Sequence, residues 1–235
     1  MRATPASPCT HRSTTRPLPA SRPRPSSRPA RRKTDAAPPR LRTASPSPPD
    51  RTPTMNDVMI DMETKGTRVG CVVLSLGAVF WDPITGRLGE QFEAVINIGS
   101  CRALGLHEDP ETAAWWDRQS PEARQILTDV ETAPMGLGEV LDTFTDWLRD
   151  HGNLHSVKVW GNGADFDPAI LIHLYAITRK MQPWSYNNSR CFRTLKNIAQ
   201  AEEPLRIGTH HNALDDARHQ AVWAGRLFAA LRAAA

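Results

Sequence analysis

Cysteine is scarce in this 235-residue chain, and its cysteines follow no recognisable pattern. The four are Cys9, Cys71, Cys101 and Cys191, and no two have the C-x-x-C spacing of a zinc site. They do not resemble a disulfide framework either, which fits a protein of the reducing cytoplasm. The sequence also lacks an apolar run of the roughly 18 residues that a membrane span needs, and it has no secretory signal region. We therefore expect a cytoplasmic protein without a membrane partner.

Acidic residues are nearly absent from residues 1–54, which carry twelve of the 29 Lys and Arg residues but two of the 25 Asp and Glu. The same segment holds thirteen of the 20 prolines and almost no large apolar residues. Such a segment buries too little apolar surface to offset the entropy of ordering. We predict a disordered extension rich in Pro, Arg and Ser over residues 1–54, followed by a folded domain over residues 55–235.

Three interpretations of the extension remain open. A polybasic arm can hold nucleic acid through its phosphates. An Arg-rich and acid-poor leader is typical of an organelle transit peptide, although the prolines here oppose the amphipathic helix of such leaders. We favour the third interpretation, in which the natural protein starts at Met55 and the preceding residues are an artefact of an upstream start.

Residues 55–235 have the pattern of an α/β domain. Short apolar runs predict strands over residues 57–63, 72–81, 92–98 and 157–160. Helical spacing and capping residues predict helices over residues 110–119, 120–127, 138–150, 168–178, 194–201 and 213–231. The short connections between the first three strands favour an antiparallel meander. The order of the elements predicts a mixed sheet flanked by helices.

The first strand ends in two acids, Asp61 and Glu63, within the sequence MIDMETKG. Side chains two residues apart on a strand point to the same face, so the two carboxylates converge. Close carboxylates repel each other unless they are protonated or share a cation, and Mg²⁺ and Mn²⁺ prefer such oxygen ligands. For an isolated D-x-E, a solvated strand end is the simpler interpretation.

Two further acidic clusters follow. The first is GNGADFDP, directly after the strand at residues 157–160, where Asp165 and Asp167 are both candidate site acids. Asp167, followed by Pro168, also suits the N-cap of the next helix, and a capping Asp can still offer an oxygen to a metal.

The second is THHNALDD, where Asn212 is a natural N-cap and Asp215 lies three residues later. Asp216 lies one residue after Asp215 and points about 100° away from it around the helix. His211 lies in the loop just before the cap, so His211 and Asp216 can face one cleft. For an isolated pair of histidines, exposed loop positions are the simpler interpretation.

The order of these clusters, D-x-E, then F-D, then H-x4-D, resembles the histidine-bearing branch of the DEDD superfamily of 3′→5′ exonucleases. The segments LSLGAVFWDPITG, PETAAWWDRQS and HHNALDDARHQA are also similar to phage and bacterial exonucleases of the exodeoxyribonuclease VIII type, and to a group of 3′ exoribonucleases. The resemblance implies a ribonuclease H-like fold: three layers around a central mixed five-stranded sheet, with three antiparallel strands first.

The resemblance implies a role for each matching residue. Four acids would hold two divalent metal ions, Mg²⁺ or Mn²⁺, and His211 would be the general base. The 3′-terminal nucleotide of the substrate strand would be held near Met62 and Thr64. The four acids are Asp61, Glu63, Asp167 and Asp216, and further residues of the cleft would be Trp115, Trp116, Asn162 and Phe166. Because adjacent helix positions point about 100° apart, we expect at least one of the two tryptophans to lie in the core. The alternative, in which one of them stacks on a base or sugar near the 3′ end, stays open.

The expected activity is hydrolysis of single-stranded 3′ ends to nucleoside 5′-monophosphates. We favour DNA as the substrate, with RNA as the alternative, and a homodimer is compatible with the resemblance. A non-catalytic nucleic-acid-binding module and a hydrolase of small nucleotides are the other hypotheses. One departure is Cys191, where the resemblance leads us to expect an acid. Four nearby cations can follow phosphates or be plain solvated surface, namely Arg190, Arg193, Lys196 and Arg206.

Overall fold

The computed structural model describes residues 55–235, so the predictions made for residues 1–54 lie outside the described residues. The strands are β1 (Asp57–Thr64), β2 (Val73–Trp81), β3 (Leu88–Val95), β4 (Lys158–Gly161) and β5 (Ser189–Cys191). The helices are α1 (Ile98–Ala103), α2 (Pro110–Trp116), α3 (Pro121–Arg124), α4 (Ile126–Thr132), α5 (Leu137–His151), α6 (Asp167–Ile177), α7 (Phe192–Ile198) and α8 (Ala213–Ala233). None of these helices is long and apolar enough to cross a membrane.

The five strands form one mixed sheet in the order β3-β2-β1-β4-β5. β1 and β2 pair antiparallel, as do β2 and β3, whereas β4 runs parallel to both β1 and β5. Because β1 and β4 are parallel neighbours, their carboxyl ends lie at the same edge of the sheet. The acids that follow these two strands are therefore brought to one place.

Helices cover both faces of the sheet, which gives three layers. Alternate residues of β1 point to opposite faces: Ile60 belongs to the larger core, and Met59 to the smaller one. The larger core is closed mainly by α5 and α6, and the smaller one by α7 and α8. This arrangement confirms the predicted α/β fold with a mixed five-stranded sheet flanked by helices.

Gly77 allows the last helix to approach the sheet closely. It lies on β2 directly opposite Asp61 of β1. A side chain at Gly77 would place a Cβ 2.2 Å from the backbone of Ala213 and Leu214, the first residues of α8. The absence of a Cβ therefore lets the first turn of α8 rest on the sheet next to Asp61.

The sequence predicts most elements to within two residues, but it misplaces the third strand. β3 covers Leu88–Val95 instead of residues 92–98, because the turn at Asp82 begins the hairpin early and Ile98 already starts α1. The short helix α1 and the three-residue strand β5 have no counterpart in the prediction. The predicted helix over residues 120–127 is two helices, α3 and α4.

Candidate active site

The two acids of β1 point towards α8. Asp61 and Glu63 share the strand face of Met59, which packs in the core below α8. Glu63 is buried, whereas Asp61 keeps part of its surface open to the cleft. The side-chain amide of Gln220 on α8 donates a hydrogen bond to Asp61 Oδ1 over 2.7 Å. This contact fixes one oxygen of Asp61 and leaves the other free to bind a ligand.

Asp167 occupies the first turn of α6, immediately after β4. Its Oδ2 accepts a hydrogen bond from the backbone N–H of Asn162 over 2.8 Å. Its Oδ1 is buried and has no hydrogen-bond partner among residues 55–235. The alternative of Asp167 as the N-cap of α6 is wrong, because the cap position is Phe166 and Asp167 lies inside the helix. The neighbouring Asp165 is exposed, so it does not belong to the cluster.

The two adjacent acids at the start of α8 have different positions: Asp216 lines the cleft, and Asp215 takes part in the helix cap. Asn212 Oδ1 accepts from the N–H of Asp215 over 2.9 Å, which confirms the predicted cap. Asp216 Oδ2 accepts from the backbone N–H of His211, also over 2.9 Å. His211 has a φ of 64°, in the left-handed region where a residue other than glycine is uncommon and which often marks a functional site. Asp216 and its helix thus hold the His211 loop in this conformation.

The structure brings acids from three separate segments together. Ligand atoms of Glu63, His211 and Asp216 lie within 4.8 Å of one another. Burial, followed by the charges of Asp167, Glu63 and Asp216, raises the pKa of Asp61 well above its ordinary value. Burial, together with the charges of Asp216 and Asp167, raises the pKa of Glu63 to about 8. These shifts indicate that the carboxylates are close enough to repel one another unless a cation lies between them.

Burial also raises the pKa of Asp167, to about 6, against the hydrogen bond from the backbone N–H of Asn162 that lowers it. Arg206, from the loop before α8, is the basic residue that forms an ion pair with this cluster, through Asp216 Oδ1. One guanidinium does not balance four carboxylates. The donor set of four carboxylates, with a buried and unpartnered Asp167 oxygen, fits hard divalent cations such as Mg²⁺ or Mn²⁺.

The two adjacent tryptophans have different positions. Trp116 is buried, and its Nε1 donates to the backbone oxygen of Thr64 over 2.9 Å, so it fastens the end of β1 to α2. Trp115 is half-buried, and its ring meets the imidazole of His211 edge-on at a centroid distance of 4.7 Å. The prediction that at least one of the two lies in the core is confirmed by Trp116; both line the cleft, and Trp115 is the more exposed of the two.

A cleft of about 710 Å³ opens above the acids. Its walls include the remaining predicted cleft residues, Met62, Thr64, Asn162 and Phe166, as well as His211. His210 also lines the cleft but is exposed. A cavity of this size is in the range of small-ligand sites.

Several residues of the cleft were not among the predicted site residues. Gln220 and Trp223 lie four and seven positions after Asp216 on α8, so the helical period starting at Asp216 would have located them. Arg206 and Lys196 were considered only as phosphate contacts, and both line the cleft. Glu203, from the loop between α7 and α8, and His219, on α8, also line the cleft. His219 Nε2 and Glu203 Oε1 lie 2.9 Å apart.

The other two candidate cations have local contacts. Arg190 donates to the backbone oxygens of Asn187 and Ser189, and Arg193 donates to the backbone oxygen of Asn162. Cys191, where an acid was expected, ends β5 and accepts from the N–H of Thr194 as the N-cap of α7. It therefore has a structural contact outside the acidic cluster.

Comparison with known sequences identifies a family and a relative. The model of the 3′-5′ exoribonuclease Rv2179c-like domain matches residues 56–228. An exodeoxyribonuclease of Enterobacteria phage T4 is 28% identical over 152 residues, which cover 59% of this chain. The match covers 64% of the phage protein, so the chain spans less than two thirds of the length of that relative.

Solved structures share the fold. The nuclease domain of 3′hExo, a DEDDh family member bound to rAMP, superposes with a TM-score of 0.52 at 14% identity over 74% of this chain and 92% of that domain. E. coli exonuclease I in complex with a dT13 oligonucleotide gives 0.55 at 12% identity over 76% and 42% of the two chains. At these identities the similarity is one of fold, and it confirms the ribonuclease H-like architecture that the sequence resemblance implies.

Proposed function

Since the chain belongs to the family of the 3′-5′ exoribonuclease Rv2179c-like domain, we propose that it is a metal-dependent 3′→5′ exonuclease. It hydrolyses single-stranded nucleic acid ends and releases nucleoside 5′-monophosphates. The observation that carries the proposal is the convergence of three acids, Asp61, Glu63 and Asp216, and of His211 in one cleft beside Trp115, with the buried Asp167 next to Asp61. Neither a solvated strand end nor a pair of loop histidines explains this convergence.

The proposed ligands of the divalent ions are Asp61, Glu63, Asp167 and Asp216. Their repulsion and the free Asp167 oxygen support this assignment. When bound, two such ions lower the pKa of an attacking water and stabilise the charge on the leaving 3′ oxygen. Gln220 holds Asp61 in the orientation that this binding needs.

His211 is the proposed general base. Burial, as the largest influence, lowers the pKa of its imidazole against the opposing charge of Asp216. A lowered pKa favours the neutral imidazole, which can accept a proton from water. The edge of Trp115 and the backbone contact to Asp216 limit the positions that the ring can adopt.

The terminal nucleotide is proposed to lie between the end of β1 and α2. Met62 and Thr64 line this part of the cleft from the strand, and Trp115 lines it from the helix. Asn162 and Phe166 close the opposite side. The exposed part of Trp115 can stack on a base, which is a contact that every base accepts.

DNA is the favoured polymer, supported by the phage exodeoxyribonuclease relative. RNA is the second candidate, because the family description names an exoribonuclease. The two differ at the ribose 2′-OH, which a protein reads by hydrogen bonds. A homodimer remains a prediction.

The test uses the full-length protein with 5′-labelled single-stranded DNA and RNA of one sequence, resolved on a gel. With Mg²⁺ or Mn²⁺ we expect a ladder of products shortened from the 3′ end, which EDTA and Asp61→Ala both abolish. The faster polymer identifies the substrate. If neither polymer is shortened with either metal, the proposal is wrong, and a binding module or a small-nucleotide hydrolase takes its place.

The metal-free protein should lose stability as the pH rises from about 5 to about 8. The pKa of Glu63 rises on folding from 4.5 to about 8, so folding takes up a proton between these values. That contribution is complete below pH 4.5 and is lost as the pH passes through about 8. Asp167, with a pKa raised to about 6, acts in the same direction. One pKa unit corresponds to about 1.4 kcal/mol, so we expect a fall of several degrees in Tm.

The measurement is the Tm in EDTA at pH 5, 6, 7 and 8. Glu63→Gln is the matched control, because it keeps the shape of the side chain and should flatten the pH dependence. Mn²⁺ should raise the Tm more at pH 8 than at pH 6, since it replaces protons on the acids. A Tm that is constant or rises between pH 5 and 8 in EDTA would contradict the expected repulsion.

A further inference from the structure

Lys196 differs from the other lysines of residues 55–235 because it has no acidic partner there. Lys65, Lys158 and Lys180 each form an ion pair with a carboxylate. No described carboxylate lies within ion-pair distance of the Lys196 ammonium group. Glu203, an acid in the same part of the cleft, is hydrogen-bonded to His219 instead.

Two aromatic rings hold the Lys196 ammonium group. Its Nζ lies 4.8 Å from the ring centroid of Phe192 and 4.8 Å from that of Trp223. The Trp223 ring is itself oriented by a hydrogen bond from its Nε1 to the backbone oxygen of Ala201. Burial, as the largest influence, lowers the pKa of Lys196, and the charge of Glu203 opposes this shift although Glu203 forms no ion pair with Lys196. A cation placed on aromatic rings is attracted to them, so this ammonium group is pre-positioned and still free to bind an anion.

Lys196 and Trp223 also line two neighbouring cavities. Both residues line the cleft of about 710 Å³ that contains Asp61, Glu63 and Asp216. Both also line a second cavity of about 420 Å³ between α7 and α8, together with Gln200, Glu202 and Leu227. A strand whose 3′ end lies at the acids can therefore continue past Lys196 into the second cavity.

We propose that Lys196 binds a backbone phosphate on the 5′ side of the scissile phosphodiester, with Phe192 and Trp223 as its positioning residues. This inference rests on the proposed exonuclease function. A cation on the exit path attracts the negatively charged backbone of the strand beyond the metal-binding acids. The contact is to the backbone, so it carries no base preference.

The test measures binding instead of cleavage, so that it stays informative if no cleavage occurs. Fluorescence anisotropy gives the Kd of the full-length protein for a 5′-fluorescein-labelled 12-nucleotide single strand in Ca²⁺, over a series of KCl concentrations. Lys196→Met keeps the apolar stem over the rings and removes the charge. We expect a Kd raised on the order of tenfold at low salt, and a slope of log Kd against log salt reduced by about 0.7.

Two controls make the result specific. Lys180→Met removes a lysine that pairs with Asp142 and does not line the cleft, so it should keep the wild-type slope. Thymidine 5′-monophosphate, which fills only the terminal position, should compete equally well against wild type and Lys196→Met. An unchanged slope for Lys196→Met overturns the inference, as does an equal loss of affinity for the mononucleotide. A failed ladder assay with a reduced slope overturns the exonuclease function but leaves the phosphate contact standing.

Discussion

Asp216→Asn should slow the shortening of strands from the 3′ end, measured as turnover, on the order of 10³-fold or more, about 4 kcal/mol of barrier. The substitution removes a charge at the point where the ligand atoms of Glu63, His211 and Asp216 converge. The asparagine amide offers the ion at most one oxygen, because its nitrogen is not a ligand for a hard cation. The amide is also uncharged, so it cannot balance the charge of the ion. The loss should appear in kcat with either Mg²⁺ or Mn²⁺, because the change removes the ligand itself.

The adjacent Asp215 provides a matched control for this variant. Its carboxylate accepts from the backbone N–H of Thr209 over 2.8 Å and lies near Arg218, outside the acidic cluster. Asp215→Asn keeps an oxygen acceptor for Thr209, so we expect turnover within about threefold of wild type. The Tm of both variants, measured in EDTA, separates loss of fold from loss of chemistry. An Asp215→Asn variant that is as inactive as Asp216→Asn would show that the assignment of the two acids is wrong.

His211→Asn should lower turnover by about 10²–10³-fold, the usual contribution of a general base. Asparagine is chosen because it tolerates the left-handed backbone of residue 211. The backbone N–H of residue 211 then still donates its hydrogen bond to Asp216 Oδ2. An alanine there would add backbone strain to the loss of the imidazole. The variant therefore removes the base with little disturbance of the loop.

The pH profile distinguishes a base from a merely structural histidine. Burial lowers the pKa of His211, so the wild-type rate should rise with pH through a value below the ordinary 6.5 of histidine and then level off. This rise should be absent from the residual activity of His211→Asn. His210→Asn, at the exposed neighbouring position, should keep the rise of the rate with pH, moved slightly upward because the charge of His210 also lowers the pKa of His211. If the His211→Asn profile still shows the wild-type rise, another group is the base.

Local features of the site were accessible from the sequence because they depend on neighbours along the chain. The shared face of Asp61 and Glu63 follows from the two-residue period of a strand. The assignment of Asp215 to the cap and of Asp216 to the cleft follows from helix geometry after Asn212. The same reasoning gave the wrong cap at Asp167, since the chain enters α6 one residue earlier than the Asp-Pro pair suggests. Sequence signals place a helix boundary only to within a residue or two.

Elements that depend on distant partners were not accessible in this way. Strand β5 has three residues, and their composition does not predict a strand. It is a strand because it pairs with β4. The start of β3 depends on its register with β2 across the hairpin. A short segment is assigned by what it contacts, so its own sequence carries little information.

The sequence by itself determined the fold class, the order of the three acidic clusters and the family resemblance, because these depend on periodicity and spacing along the chain. The tertiary structure decided how the clusters meet. Asp167 reaches the acids of β1 through the parallel pairing of β1 and β4, and Asp216 does so because Gly77 lets α8 rest on the sheet. It also placed Trp115 on the cleft and Lys196 at the junction of two cavities. These contacts join residues far apart in the chain, so they depend on how helices and sheet pack and not on any local pattern.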